Sequence, residues 1–183
     1  MSQTSYSLVP PVGVEGLLAD MQEGVVVIPR MAAGLVPVGK LCAPGTNQLL
    51  GPPLASVSPT STTSGQIKAL PVGLTTDPML TASFVGIPIY DASRAPYDAT
   101  SGYACYSDKD YCDVLYKGTI YVLPEAGSAP TDQGDVYVRV AAGGGGSVLG
   151  AFSSAAGAGK VLLSQAKWIS GFMQSNLAIL RLR

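Results

Sequence analysis

Cys112-Asp113-Val114-Leu115-Tyr116-Lys117-Gly118-Thr119-Ile120-Tyr121-Val122-Leu123 is the stretch on which the fold turns. It is rich in β-branched and aromatic residues, which fit a pleated, half-buried surface better than a helix. Lys117-Gly118 sits between two such runs, and that placement predicts a tight hairpin. Just downstream, Asp135-Val136-Tyr137-Val138-Arg139-Val140 alternates with period two. Val136, Val138 and Val140 therefore share one face of a strand, with Tyr137 and Arg139 on the other.

Further strands are expected at Gly24–Pro29, at Leu35–Leu41 (confined to an edge by Pro37), at Gln66–Leu74 and at Ser83–Asp91. The closing pair is expected at Ala166–Ser170 and Leu177–Leu182. Helical signals are few; Gly13–Glu23 has room for one or two turns around Leu17, Leu18 and Met21. The 22 glycines and 14 prolines among 183 residues oppose a helical bundle, since both cost helix stability in interior positions. The fold class is therefore all-β, a single-domain β-barrel or jelly-roll-like sandwich over residues 14–183. Residues 1–13 read as an extended N-terminal arm. Two long loops are expected: a Pro/Ser/Thr-rich one at 43–64 and a polar, tyrosine-rich excursion at 92–111.

Histidine is absent. That removes Ser-His-Asp and Cys-His nucleophilic sites and imidazole metal ligands. Three cysteines cannot supply four thiolates to a zinc ion. Gly159-Lys160 fails as a phosphate loop, because Ser154 and Val161 stand where Gly and Ser/Thr are needed. Gly143–Gly146 lacks the third glycine of a dinucleotide fingerprint and reads as a flexible turn. An EF-hand starting at Asp108 would want Gly and Glu where Asp113 and Thr119 stand. Asp108, Asp110 and Asp113 then read as a solvated acidic loop, with an irregular cation site as the rival reading. Cys105 and Cys112 could face each other across a loop and form a disulfide, whereas Cys42 reads as a small buried residue. No cofactor is expected.

The N-terminus lacks a basic segment followed by an apolar one, so no secretory signal is read. The uncharged run between Arg139 and Lys160 is too weakly apolar to span a bilayer, and no membrane partner is expected. Charge is segregated. Residues 91–135 hold eight acids against three bases, a net of −5, while residues 136–183 hold five bases and no acid. Such polarity can steer a basic surface onto an acidic partner. Tyr90, Tyr97, Tyr103, Tyr106, Tyr111, Tyr116 and Tyr121 cluster in the acidic part. Tyrosine suits protein interfaces, but nucleic acid would want interleaved basic residues, so no nucleic-acid partner is expected.

In their order these segments resemble the structural cement, or capsid decoration, proteins of tailed bacteriophages. Gly13-Val14-Glu15-Gly16-Leu17-Leu18-Ala19-Asp20 resembles the family's early Pro-Gly-x-x-Ala-Asp segment. Phe84–Asp91 is similar to its central strand, and Val114–Val122 to its hairpin around a basic residue and glycine. Gly134-Asp135-Val136-Tyr137-Val138 resembles its GD-x-V-Y-V strand, and Lys160–Arg183 its closing strands. The long loop at 43–64 and the cysteine-flanked excursion at 98–112 depart from the pattern.

The resemblance implies a non-enzymatic virion protein on the outer capsid surface, made in the host cytoplasm. Its partners would be the major capsid protein and further copies of itself, as a homodimer or homotrimer. Candidate contacts to the capsid or to neighbouring copies are Tyr6, Leu8, Val9, Pro10 and Pro11 of the arm, with Tyr97, Tyr103, Tyr106 and Tyr111. Rival readings are a tail-fibre receptor-binding domain, disfavoured by the lack of repeats, and a carboxylate enzyme using acids such as Asp91, Asp98, Asp110 and Glu125, which lie in no recognisable motif.

Overall fold

A computed structural model describes residues 15–20, 24–44, 66–69, 77–78, 86–91, 93, 95, 97–98, 103–141, 148–170 and 176–183. All regular elements among them are strands: β1 (Leu18–Asp20), β2 (Val26–Ala32), β3 (Val36–Pro37), β4 (Cys42–Pro44), β5 (Gln66–Ala69), β6 (Ile87–Pro88), β7 (Tyr97–Asp98), β8 (Tyr103–Tyr106), β9 (Tyr111–Val122), β10 (Asp135–Arg139), β11 (Phe152–Ser153), β12 (Lys160–Ser170) and β13 (Ala178–Leu182). The all-β class is as expected. The arm at 1–13, most of the loop at 43–64 and Gly143–Gly146 lie outside the described residues.

The expected hairpin at Lys117-Gly118 does not form. Residues 111–122 run as one twelve-residue strand, β9. The reason lies in its register with β2. Val26 pairs with Lys117 but Val27 pairs with Leu115, so Tyr116 is an extra residue, a β-bulge. A bulge shifts the side-chain phase. Before it, Cys112 and Val114 point to one side, and Leu115 points to the other. After it, Ile120 and Val122 join Leu115. Gly118, at φ +134, lets the strand continue past the bulge, and its missing side chain leaves room for Leu115 and Val25.

β9 therefore serves two cores. On one side β9 pairs with β2, β2 with β5 (in parallel), and β5 with β4. Cys42 of β4 bridges to Gly86, next to β6, and β6 pairs back onto β9. The circuit closes a small barrel, and a full closure leaves no open edge within it. Cys42, Ile67, Ala32, Cys112 and Val114 form the second core with Val36, Val38, Ala95 and Tyr106. Gly86 is needed for closure, because a Cβ there would lie 2.4 Å from the Leu115 carbonyl oxygen.

The other half of β9 continues into a sheet ordered β11-β10-β12-β13-β9. Val136, Val138 and Val140 are buried, as the alternation predicts. They pack with Trp168, Leu163, Phe152, Leu180 and Leu182 against Leu41, Ala43, Ile87 and Leu115 on the barrel's outer wall. The alternation Leu41–Cys42–Ala43 thus splits β4 between the two cores.

Three expectations are corrected. The helical turns around Leu17 and Leu18 are instead a turn at Glu15-Gly16 and strand β1. Gly16 and Leu17 exchange backbone hydrogen bonds with Tyr121 (Gly16 N to Tyr121 O, 2.8 Å; Tyr121 N to Leu17 O, 2.8 Å), so the backbone leading into β1 is committed to β9. The excursion at 92–111 contains strands β7 and β8, which with β3 form a separate three-stranded sheet. Pro37 does lie on an edge strand of that sheet. The closing strand β12 begins at Lys160, six residues before the expected start.

Candidate functional site

No group of three or more acids or cysteines among the described residues is arranged to hold a metal ion. Asp108 and Asp110 are used by the chain's own backbone. Asp108 Oδ1 accepts from the Gly34 amide at 2.9 Å, and Asp110 Oδ2 from the Ser107 amide at 2.8 Å. The Asp110 bond caps the turn between β8 and β9, and the Asp108 bond ties that turn to the chain between β2 and β3.

Cys105 and Cys112, considered as a disulfide, are both thiols. Cys112 turns into the second core, its Sγ 3.7 Å from the Arg30 carbonyl oxygen. Cys105 lies on β8 in register with Pro37, in the other sheet. Burial, with Asp113 and Asp110 beside it, pushes the Cys112 thiol up to about 12. Burial and then the neighbouring Cys112 push Cys42 up as well. Both are poor nucleophiles at neutral pH, since the thiolate is the reactive form. Cys42 is a buried small residue, as expected.

The candidate contact tyrosines separate. Tyr111 is 65% exposed on β9. Tyr103 is half-buried, and Tyr97 lies on β7 opposite Ala104. Tyr106 is not a surface group: it is 1% exposed, and its hydroxyl donates to the Ile89 carbonyl at 2.6 Å. A tyrosine in an acidic, polar stretch looks like a surface residue; only the folding of β8 over the barrel hides it. Tyr6, Leu8, Val9, Pro10 and Pro11 lie outside the described residues.

Two ion networks were not foreseen. Lys40, 4% exposed, pairs with Glu15, whose carboxylate also accepts from the Leu123 amide at 3.2 Å. This ties the start of the described chain to the barrel and to β9. Glu125 is gripped by Arg139 through both oxygens and by Lys160 at 2.9 Å, and Lys160 also donates to Ser153 Oγ at 2.7 Å. Burial works to raise the Glu125 carboxyl, but hydrogen bonds and charge from Arg139 and Lys160 outweigh it and hold it below its ordinary value. The Glu125 hydrogen bond raises Arg139 in turn. Lys160 therefore acts as a clamp between β11, β12 and the chain after β9, which replaces the flexible-loop reading of Gly159-Lys160. The only sequence signal for either network was the scarcity of charge, which makes each buried pair conspicuous.

Among the described residues Tyr111 and Leu35, at 65% and 62% exposure, are the most exposed large apolar groups, and Tyr116, Leu123, Leu162, Val26, Val27 and Leu17 follow. Glu15, Glu125 and Asp135 are thus held in ion pairs within the β-scaffold, while Tyr111 and Tyr116 are turned outward. The profile of the structural cement proteins (E217 gp24/Pam3 gp6) matches residues 2–183, and the chain belongs to that family. Among solved structures, a chain of the capsid of Myoviridae phage XM1 is similar with a TM-score of 0.62 at 14% identity, over 99% of this chain and 96% of that one. At that identity the likeness is one of fold. No curated protein matches.

Proposed function

We propose that this protein binds the outer surface of a phage capsid and ties neighbouring major capsid subunits together against the pressure of the packaged DNA. It is added to the particle after synthesis in the host cytoplasm, and it carries out no catalysis. The family match across residues 2–183 carries this reading. The exposed Tyr111 and Leu35 support it, because aromatic and apolar groups dominate protein contacts.

Residues 14–183 act as one body, since β9 contributes to both cores and the halves cannot shear apart without breaking it. Tyr97, Tyr103 and Tyr111 are the contact residues retained from the central excursion. The arm at 1–13 adds main-chain hydrogen bonds to a neighbour's strand edge. Contacts weak singly become strong when one body engages several subunits, because later contacts form at high effective concentration. Self-association as a dimer or trimer extends the clamp.

Purified heads test this directly. The protein is expected on the outside of the shell in a copy number proportional to that of the major capsid protein. Heads stripped of it are expected to release DNA at a lower temperature. A few copies confined to the tail, or equal melting of stripped and decorated heads, would refute the reading.

A further inference from the structure

Two poles of opposite charge occupy different faces of β9. In the outer sheet Arg181 is directly opposite Lys167, and Leu182 opposite Gly118 and Ala166. Residues opposite one another across antiparallel strands share a face, with Cβ atoms about 5 Å apart. Leu182 and Ala166 point into the first core. Arg181, Arg183, Lys167 and Lys117 therefore stand on the outer face, and Arg181, Arg183 and Lys117 are exposed.

Asp135 offsets one of these charges, pairing with Lys167 at 2.6 Å. Asp20 lies opposite Thr119 on the far flank. No ion pair among the described residues reaches Lys117, Arg181 or Arg183. Like charges directly opposite each other destabilise a sheet. Asp135 compensates Lys167 alone, which leaves the charges of Arg181, Arg183 and Lys117 to a use elsewhere. Half-buried Tyr121 and Ile179, also paired, continue the same face.

The second pole is the turn into β9. Exposed Asp108 and Asp113 flank Tyr111, with Asp110 half-buried between them. The turn is held rigid by the Asp108 and Asp110 hydrogen bonds and by the Lys109 amide, which donates to the Ala32 carbonyl at 2.9 Å. Such preorganisation lowers the entropic cost of docking. Because the Tyr116 bulge shifts the side-chain phase, Asp113 and Lys117 point to opposite sides of the same strand.

We propose that the Asp108–Asp113 turn of one copy docks on the Lys117/Lys167/Arg181/Arg183 face of the next copy. Tyr111 is the apolar anchor of this contact, and the acids neutralise the repelling cations. The two surfaces differ, so the contact is heterologous. A joined pair keeps one free pole at each end, and the contact propagates from copy to copy over a shell. The proposal rests on the cement reading for the side-by-side placement of copies.

Sedimentation velocity of the purified full chain tests it without a capsid. Association is expected to rise with protein concentration at about 0.02 M salt and to fall at least tenfold at about 0.5 M, where charges are screened within a few ångströms. Arg181→Glu and Asp113→Lys are each expected to abolish association while keeping the native circular dichroism. Mixing the two variants is expected to restore it as a one-to-one complex, because the unaltered acidic turn of Arg181→Glu meets the unaltered basic face of Asp113→Lys. If either variant misfolds, Lys117→Glu and the salt series on the unaltered protein decide. Salt-independent association, or no recovery on mixing, would overturn the proposal. A chain monomeric at all salt concentrations whose Arg181→Glu variant loses head binding would also overturn it, assigning the basic face to the shell and leaving the cement reading intact. Association through these poles with no binding to heads would support this contact and sink the cement reading instead.

Discussion

Glu125 shows how few charges this chain can spare and how each is used. Its side chain is 10% exposed and faces Arg139 at 13% and Lys160 at 14%. Removing the carboxylate leaves two cations facing each other, half out of water. Breaking a buried pair from one side is costlier than never having it. Glu125→Gln is expected to lose about 3 kcal/mol, read as a lower denaturant midpoint. Acid has the same effect. The folded carboxyl lies below its ordinary value of 4.5, so its contribution is complete above that pH and is lost as pH falls through the folded value. The melting temperature of the native chain is expected to drop on acidification below about 4.5, and that of Glu125→Gln to drop less steeply. Parallel acid slopes would show that Glu125 is not the titrating group. Tyr106 makes the same point with a neutral donor. Tyr106→Phe leaves the part-buried Ile89 carbonyl without this donor and is expected to cost about 1–2 kcal/mol with no change in fold.

At the scale of the element, the decisive feature is how β9 absorbs one extra residue without losing its register with β2. With Tyr116 present, Cys112 and Val114 reach the second core while Leu115, Ile120 and Val122 reach the first. Deleting Tyr116 restores strict alternation with β2. The pairs Val26–Lys117 and Val27–Leu115 stay in register, because the residue removed is the unpaired one. Deleting the paired residue Asp113 instead forces a slip, because a one-residue shift sends every side chain beyond it to the opposite face. Tyr111 would then enter the second core in place of Cys112. The Asp113 deletion is expected to abolish the cooperative melt and expose dye-binding apolar surface, whereas the Tyr116 deletion and Tyr116→Ala, which keep the register, are expected to melt cooperatively. Loss of the cooperative melt on deleting Tyr116 would refute its assignment as the extra residue. This is also where sequence reading reached its limit. The β-branched content of residues 112–123 announces strand, and the alternation in β10 announces its buried face correctly. A Lys-Gly step, however, looks the same whether it turns a hairpin or follows a bulge; the pairing partner, β2, decides. Tyr106 and the Glu125 cluster were illegible for a similar reason. Their partners, Ile89 and Lys160, are distant in sequence and carry no motif.

For the whole molecule, the proposed bridging makes the number of neighbours held at once the decisive quantity. A body that bridges subunits protects a shell only where it sits, and a shell under pressure fails at its weakest join. Protection should therefore be a steep function of coverage rather than a proportional one. Heads reconstituted with increasing amounts of the protein are expected to keep nearly the undecorated disruption temperature at half occupancy. Most of the gain is expected to arrive as the last vacant joins fill. Simple ligand stabilisation behaves differently, because each binding event adds its own increment wherever it occurs. A disruption temperature that climbs in direct proportion to occupancy would mean that each copy merely stiffens the subunit beneath it, and the bridging mechanism would fall. A contact that passes from copy to copy steepens the curve further, since adjacent copies then recruit one another and close joins in patches. The Arg181→Glu variant separates the two contributions: if the charged poles join neighbours, heads saturated with it keep the steepness due to bridging and lose the part due to recruitment.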